Sequence, residues 1–177
     1  MTITEALAEL KTLQKRIEKK REYVTQFLLR QDGLKDPLEK DGGSTVVIQR
    51  ERQAIADLDT RRVAIRTGIQ KINQSTYITV ADITKTIAEW LTWRKEIAPG
   101  EQSFVTKLRS GIANARQQAQ QKGWGVAAKD GTAAAPTDLV INIDESALAA
   151  EAEQIENILG TLDGQLSLKN ATVMIDV

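Results

Sequence analysis

Three groups of residues have types and spacings that could do chemistry: the glycine-rich runs DGGST at 41–45 and GWGVAAKDG at 123–131, the acids Asp138, Asp144 and Glu145, and the basic run Lys15, Arg16, Lys19, Lys20 and Arg21. A glycine-rich turn can aim backbone amides at a phosphate, but neither run has the GxxxxGK[ST] or GxGxxG spacing that makes those amides converge. The three acids lack the alternating ligands and central glycine of a calcium loop, so helix capping and solvation account for them. The basic run contains Glu18 and Glu22 at helical spacing, and Arg61, Arg62 and Arg66 stand near Asp57 and Asp59, which reads as solvated helix faces. Neither cysteine nor histidine occurs in the 177 residues. That inventory removes disulfides, thiolate nucleophiles, Cys/His zinc sites and every Ser-His-acid triad. A carboxylate-and-metal enzyme is left as a remainder, with no acid pair at a defined spacing, so the expectation is a non-enzymatic protein with no catalytic residue, cofactor or metal ligand.

The elements that would position such groups are helices. Hydrophobic residues make up 41% and aromatic ones 4%, which predicts a core of Leu, Ile, Val and Ala. Thr2 and Glu5 form a capping box, and Ile3, Ala6, Leu10, Leu13, Ile17, Lys20, Val24 and Phe27 follow at alternating spacings of three and four, a heptad seam with one polar break that runs to Arg30. QDGLKDPLEKDGGS reads as a loop, after which Ile48, Ile55, Leu58, Ile65, Ile69 and Ile72 form a second seam over about 48–75, with Glu51 and Arg62 as exceptions. Residues 1–75 are therefore expected to form a long antiparallel helical hairpin. Over 79–122 a second helical pair is expected: Thr79 and Asp82 cap a helix lined by Val80, Ile83, Ile87, Trp90, Arg94 and Ile97 and ended by Pro99-Gly100. Phe104, Leu108, Ile112, Ala115 and Ala119 line its partner, which Gly123 stops. Asp144 caps an acidic last helix with the seam Leu148, Ala152, Ile155, Leu159, Leu162 and Leu166.

TDLVINID at 137–144 reads as a strand, and an isolated strand leaves its backbone groups unpaired. Val46 to Ile48 and the final TVMIDV are also β-prone, and the expected partner of TDLVINID is TVMIDV, in the same chain or in another subunit. The fold class predicted is all-α in the main: one helical domain over 1–177, an antiparallel long-helix bundle with coiled-coil character, and a small β element near 138–143 and 172–177. Residues 123–143 form a flexible arm carrying the short strand, and 144–177 the acidic helix with the terminal strand.

The interface candidates are Trp124, Leu139, Ile141, Ile143, Gly160, Gly164, Val173 and Ile175. Trp124 lies between two glycines and is either a partner's anchor or a cover for its own loop, whereas Trp90 fits the core and Trp93 its edge. Gly160 and Gly164 each weaken a helix by ~1 kcal/mol, an effect offset by close packing of a neighbouring helix. Residues 1–122 carry 22 basic and 15 acidic groups and 123–177 carry 2 and 9, so the acidic part can lie against the basic part. No apolar run approaches the ~20 residues of a membrane span, and MTITEALAELK lacks the blocks of a signal peptide, so a soluble protein not exported by that route is expected.

The opening ITEALAELKTLQKRIEKKRE, INQST at 72–76 followed by ITVADITKTI, and the close LDGQLSLKNATVMI at 162–175 together resemble a family of small helical bacterial proteins labelled septicolysin-like, whose members look related to phage-encoded proteins. GWGVAAKDGTAAAP and the pair Trp90/Trp93 depart from the family pattern. The resemblance implies a self-associating helical hairpin protein and no particular activity. The expectation is thus a structural or assembly protein, a homo-oligomer that also meets other virion or assembly proteins, located in a virion or the bacterial cytoplasm. The alternative is a nucleic-acid-associated protein whose basic helices are masked by the acidic C-terminal helix.

Overall fold

A computed structural model describes residues 1–126 and 138–176, so most of the expected arm, 127–137, and also Val177 lie outside the described residues. The elements are α1 (Ile3–Gln26), α2 (Ser44–Ser75), β1 (Tyr77–Val80), β2 (Ile83–Thr86), α3 (Ile87–Thr92), α4 (Ala98–Gln121) and α5 (Glu145–Thr172). The mainly helical class with a small β element is thus what the chain adopts. It forms two compact units, Met1–Thr76 with Leu166–Val177, and Tyr77–Gln165.

In the first unit α1 opens with the capping box: the Thr2 amide donates to Glu5 Oε2 at 2.8 Å, and the Glu5 amide donates to Thr2 Oγ1 at 3.2 Å. Ile3, Ala6, Leu13 and Ile65 are buried together, with Leu10, Leu58, Ile69 and Ile72 packed against them. Lys20 meets Glu51 while Glu9 meets Arg61, so α1 and α2 run antiparallel. The polar breaks in the two seams therefore answer one another, because Lys20 and Glu51 form a half-buried ion pair. Helix α1 ends at Gln26, short of Arg30. Helix α2 starts at Ser44, so Val46 to Ile48 are helical and not extended. Its free amide end is held from a distance: Asp36 accepts hydrogen bonds from the Ser44 amide at 2.9 Å and the Ser44 hydroxyl at 2.6 Å.

The terminal TVMIDV does not pair with TDLVINID. It pairs with the N-terminus: the Ile175 amide donates to the Met1 carbonyl at 2.8 Å, the Ile3 amide to the Val173 carbonyl at 3.3 Å, and Thr2 faces Met174 antiparallel. The cause is core packing, since Ile175 enters the same apolar cluster as Ile3.

In the second unit the expected helix from Thr79 is replaced by a β-hairpin, with Tyr77 opposite Thr86, Ile78 opposite Lys85, Thr79 opposite Thr84 and Val80 opposite Ile83. Alternation decides it: Ile78 and Val80 are buried while Tyr77 and Thr79 are exposed, a period of two that no helix can serve. Ala81 and Asp82 turn the chain at φ 47° and 62°, positive at both positions as a type I′ turn demands. Helix α3 then starts on a second capping box, Thr86 with Glu89. Pro99-Gly100 does not end the helical run. A π turn over Trp93–Ile97 carries the chain into α4, with the Ala98 amide donating to the Trp93 carbonyl and Pro99 in the first turn. A widened turn removes the clash between a proline ring and the carbonyl four residues back. Val105 is buried and Phe104 exposed, so the seam read from sequence is off by one residue at its start, while Leu108, Ile112 and Ala115 are half-buried and Ala119 buried as that seam requires. Val105, Leu148 and Ile155 form the buried centre of this unit, flanked by Leu108, Ile112, Ala152 and Leu159.

Candidate functional site

Helix α4 carries Leu108, Gly111, Ile112 and Ala115 at helical spacing, and the chain returns over them through residues 139–143. The return path is fixed locally. Gly123, at φ 68°, ends the helical run, and the Trp124 amide donates to the Ala119 carbonyl at 2.9 Å. The Leu139 amide donates to the Gly125 carbonyl at 2.8 Å, and Val126 faces Leu139 in a single parallel bridge. A Cβ on Gly125 would lie 2.5 Å from Asp138 Oδ1, so a larger residue there would make the Asp138 carboxylate move aside. Residues 138–143 consequently form one bridge and no strand, and the orphan-strand problem is solved by Gly125 and Val126, not by TVMIDV. Asp144 ends the segment by accepting from the Ser146 amide at 3.0 Å and hydroxyl at 2.7 Å, which starts α5 as its capping role predicts.

What this path leaves is a mostly apolar groove of about 310 Å³, lined by Leu108 and Ile112 from α4 and by Leu139, Val140, Ile141 and Ile143, with Lys107 and Asn142 at its polar positions. Leu139 and Ile141 are half-buried, while Ile143 is 37% and Val140 57% exposed. Three of the sequence-derived candidates, Leu139, Ile141 and Ile143, therefore come together. Trp124 stands apart from the groove lining, 43% exposed, with the Lys122 ammonium 4.5 Å from its ring centroid. Gly160 and Gly164 are exposed, and a Cβ on either would meet no described atom within 4 Å, so the close helix packing expected there is not made within the described residues. Val173 and Ile175 are committed to the core of the first unit.

Sequence reasoning missed Val140 and the double duty of Leu108 and Ile112, which face the unit's core as well as the groove. The signal was present as LVI, three consecutive apolar residues of which a half-buried segment can hide only some. It also missed Leu28, Leu29 and Leu34, all exposed in the loop between α1 and α2.

Charge within the second unit is complementary: Arg94 pairs with Asp163 at 3.0 Å and Arg116 with Glu145, joining the basic α4 region to acidic α5. These pairs are solvent-exposed, worth ~0–1 kcal/mol each, and orient more than they stabilise. In the first unit Lys20, Arg21, Arg61 and Arg62 all have carboxylate partners. The acids read as capping groups include Asp144 and Glu145, and among the described residues no cluster of three or more acids is placed to hold a metal ion. No described helix is long and apolar enough to cross a membrane.

Comparison of the chain with protein-family models, with curated proteins and with solved structures finds no match in any of the three.

Proposed function

We propose that this is a non-enzymatic assembly protein that associates with copies of itself through the groove between α4 and residues 139–143. The observation that supports the reading is the exposure of Val140 and Ile143 beside a groove of about 310 Å³ whose lining is mostly apolar, with Lys107 and Asn142 as its polar members. Fully burying a Val or Ile side chain is worth ~1.5–3 kcal/mol, so several such residues covered at once supply a useful part of a binding energy. The resemblance to septicolysin-like and phage-encoded proteins suggests a virion as the setting, with other assembly proteins as further partners.

The absence of cysteine from the sequence makes the test clean. A single Ile143→Cys substitution introduces a unique thiol, and its rate of maleimide labelling should fall several-fold as protein concentration rises. A rate independent of concentration, with the fold intact by circular dichroism, contradicts the reading.

One observation favours a second reading, in nucleic-acid binding. Arg16, Lys19 and Lys20 line a groove of about 330 Å³ together with Tyr23 and with Glu51, which pairs with Lys20, and a ring beside basic side chains is an arrangement a single-stranded nucleic acid uses. Anisotropy of a labelled oligonucleotide should then rise on binding, fall steeply with salt and respond to Arg16→Gln with Lys19→Gln. No binding at low salt removes this reading.

A further inference from the structure

A second concavity in the unit Tyr77–Gln165 has a different chemistry. The hairpin, α3, the π turn, α4 and α5 border about 220 Å³, lined in part by Ile83, Lys85, Trp90, Trp93, Glu101 and Glu151. We propose that this pocket binds one ammonium group carried on an unbranched alkyl stem, the chemistry shared by a lysine side chain and a simple alkyl amine. The proposal is independent of self-association through the groove.

Four observations carry it. Trp90 and Trp93 meet edge to face, with centroids 5.6 Å apart and planes at 86°, so their rings make a corner of two perpendicular walls. The corner is rigid, because Trp90 is 1% exposed and its Nε1–H donates to the Ile78 carbonyl at 3.0 Å. A cation already uses one wall: the Lys85 ammonium lies 5.0 Å from the Trp90 centroid, drawn by the negative face of the indole. Glu101 and Glu151 contribute two carboxylates that have no ion-pair partner among the described residues, so with Lys85 the lining holds two negative charges and one positive.

One negative charge is thus left for a ligand to neutralise, and Ile83 offers an apolar surface for a stem. The volume lies below the ~300–1,000 Å³ of sites for drug-sized molecules and suits a single side chain. Lys85 acts as an internal stand-in for the ligand, and binding displaces it from the Trp90 ring or seats a second ammonium against Trp93 and the carboxylates.

The test uses the full chain with Trp124→Phe, so that indole fluorescence reports on Trp90 and Trp93 alone, the sequence having three tryptophans. Butylammonium chloride should give a saturable change with a Kd on the order of 1 mM, a fair value for so small a ligand. Glu101→Gln and Glu151→Gln should each weaken binding ~3- to 10-fold, and Lys85→Met should tighten it by a similar factor, since the competing cation is gone. Butanol, the neutral counterpart, should bind at least tenfold more weakly. A lysine-containing peptide and its Nε-acetylated form separate the sources: tighter binding of the unmodified peptide than of butylammonium identifies a polypeptide side chain, and the reverse identifies a free amine. Failure to saturate by ~50 mM, equal binding of butanol, or indifference to both Gln substitutions overturns the proposal, and each variant's circular dichroism confirms that the pocket was present to be tested.

Discussion

Asp36 organises its surroundings from within a loop. Gly43, at φ 90°, precedes α2 and has no side chain to cap it, so Asp36 supplies the acceptor from eight residues away and also takes the Leu38 amide at 2.8 Å. Hydrogen bonds from Ser44, then from Leu38, with Arg30 nearby, lower its carboxyl to about 2 from the ordinary 3.8. The sign follows from that direction. A group whose folded value is depressed stabilises the fold above its unfolded value, and the contribution is lost as pH falls from about 3.8 through about 2. Asp36→Asn should therefore lower the melting temperature by a few degrees at neutral pH, and the gap to the unaltered protein should close between pH 4 and 2. Thermal melts across that range check it; a gap at pH 2 as wide as at pH 7 would show that the carboxylate's charge is not what holds the loop. The glycines of α5 make the opposite case. Since no atom of the described residues stands within 4 Å of a Cβ at Gly160 or Gly164, alanine at each should stabilise the helix by ~1 kcal/mol in urea titration. A loss of stability accompanied by a fall in oligomer mass would show that a partner's helix packs on these glycines.

The elements were legible where a single period governed them. Ile3 to Ile17 and Ile65 to Ile72 declared a hairpin, and even the seam defects were informative, since Lys20 and Glu51 proved to be each other's partners. Such a pair fixes register more than it adds stability. Lys20→Leu alone should destabilise by ~1–3 kcal/mol, and the Lys20→Leu/Glu51→Leu double variant should recover most of that loss, a double-mutant cycle read by thermal or urea denaturation. Illegible were the elements whose cause lies in local backbone chemistry. Thr79 and Asp82 imitate a helix cap, and a type I′ turn made of Ala81-Asp82 lacks the Asn-Gly that ordinarily betrays one. L-residues at positive φ cost ~1 kcal/mol each, so Ala81→Asn with Asp82→Gly should raise hairpin stability by ~1–2 kcal/mol. A destabilised double variant would mean that the turn is not of this type. The π turn at Trp93–Ile97 was hidden as well, because Pro99-Gly100 signals a stop to any reading that does not allow a widened turn. The candidate site followed the same division: Leu139, Ile141 and Ile143 were visible as an apolar segment, whereas the approach of that segment to Gly125 depends on the hydrogen bond from the Leu139 amide to the Gly125 carbonyl, which no pattern announces.

For the molecule as a whole, the charge division differs from the one drawn by position in the chain. The unit Met1–Thr76 with Leu166–Val177 holds 16 basic and 12 acidic side chains, and the unit Tyr77–Gln165 holds 8 and 12, because basic α4 and acidic α5 share a unit. The imbalance is therefore +4 and −4, milder than the +7 and −7 found by cutting at residue 123. Arg94–Asp163 and Arg116–Glu145 are the local expression of that complementarity. With charge largely answered inside each unit, the proposed association rests on apolar burial, which salt does not screen. Light scattering coupled to size-exclusion chromatography at ~0.5 M salt tests this most directly. The account predicts a mass that is a multiple of the 19.5 kDa chain, falling to that of one chain in a Val140→Asp/Ile143→Asp variant of unchanged helicity. A 19.5 kDa particle for the unaltered protein at every concentration, or a double variant that keeps its full mass, contradicts it.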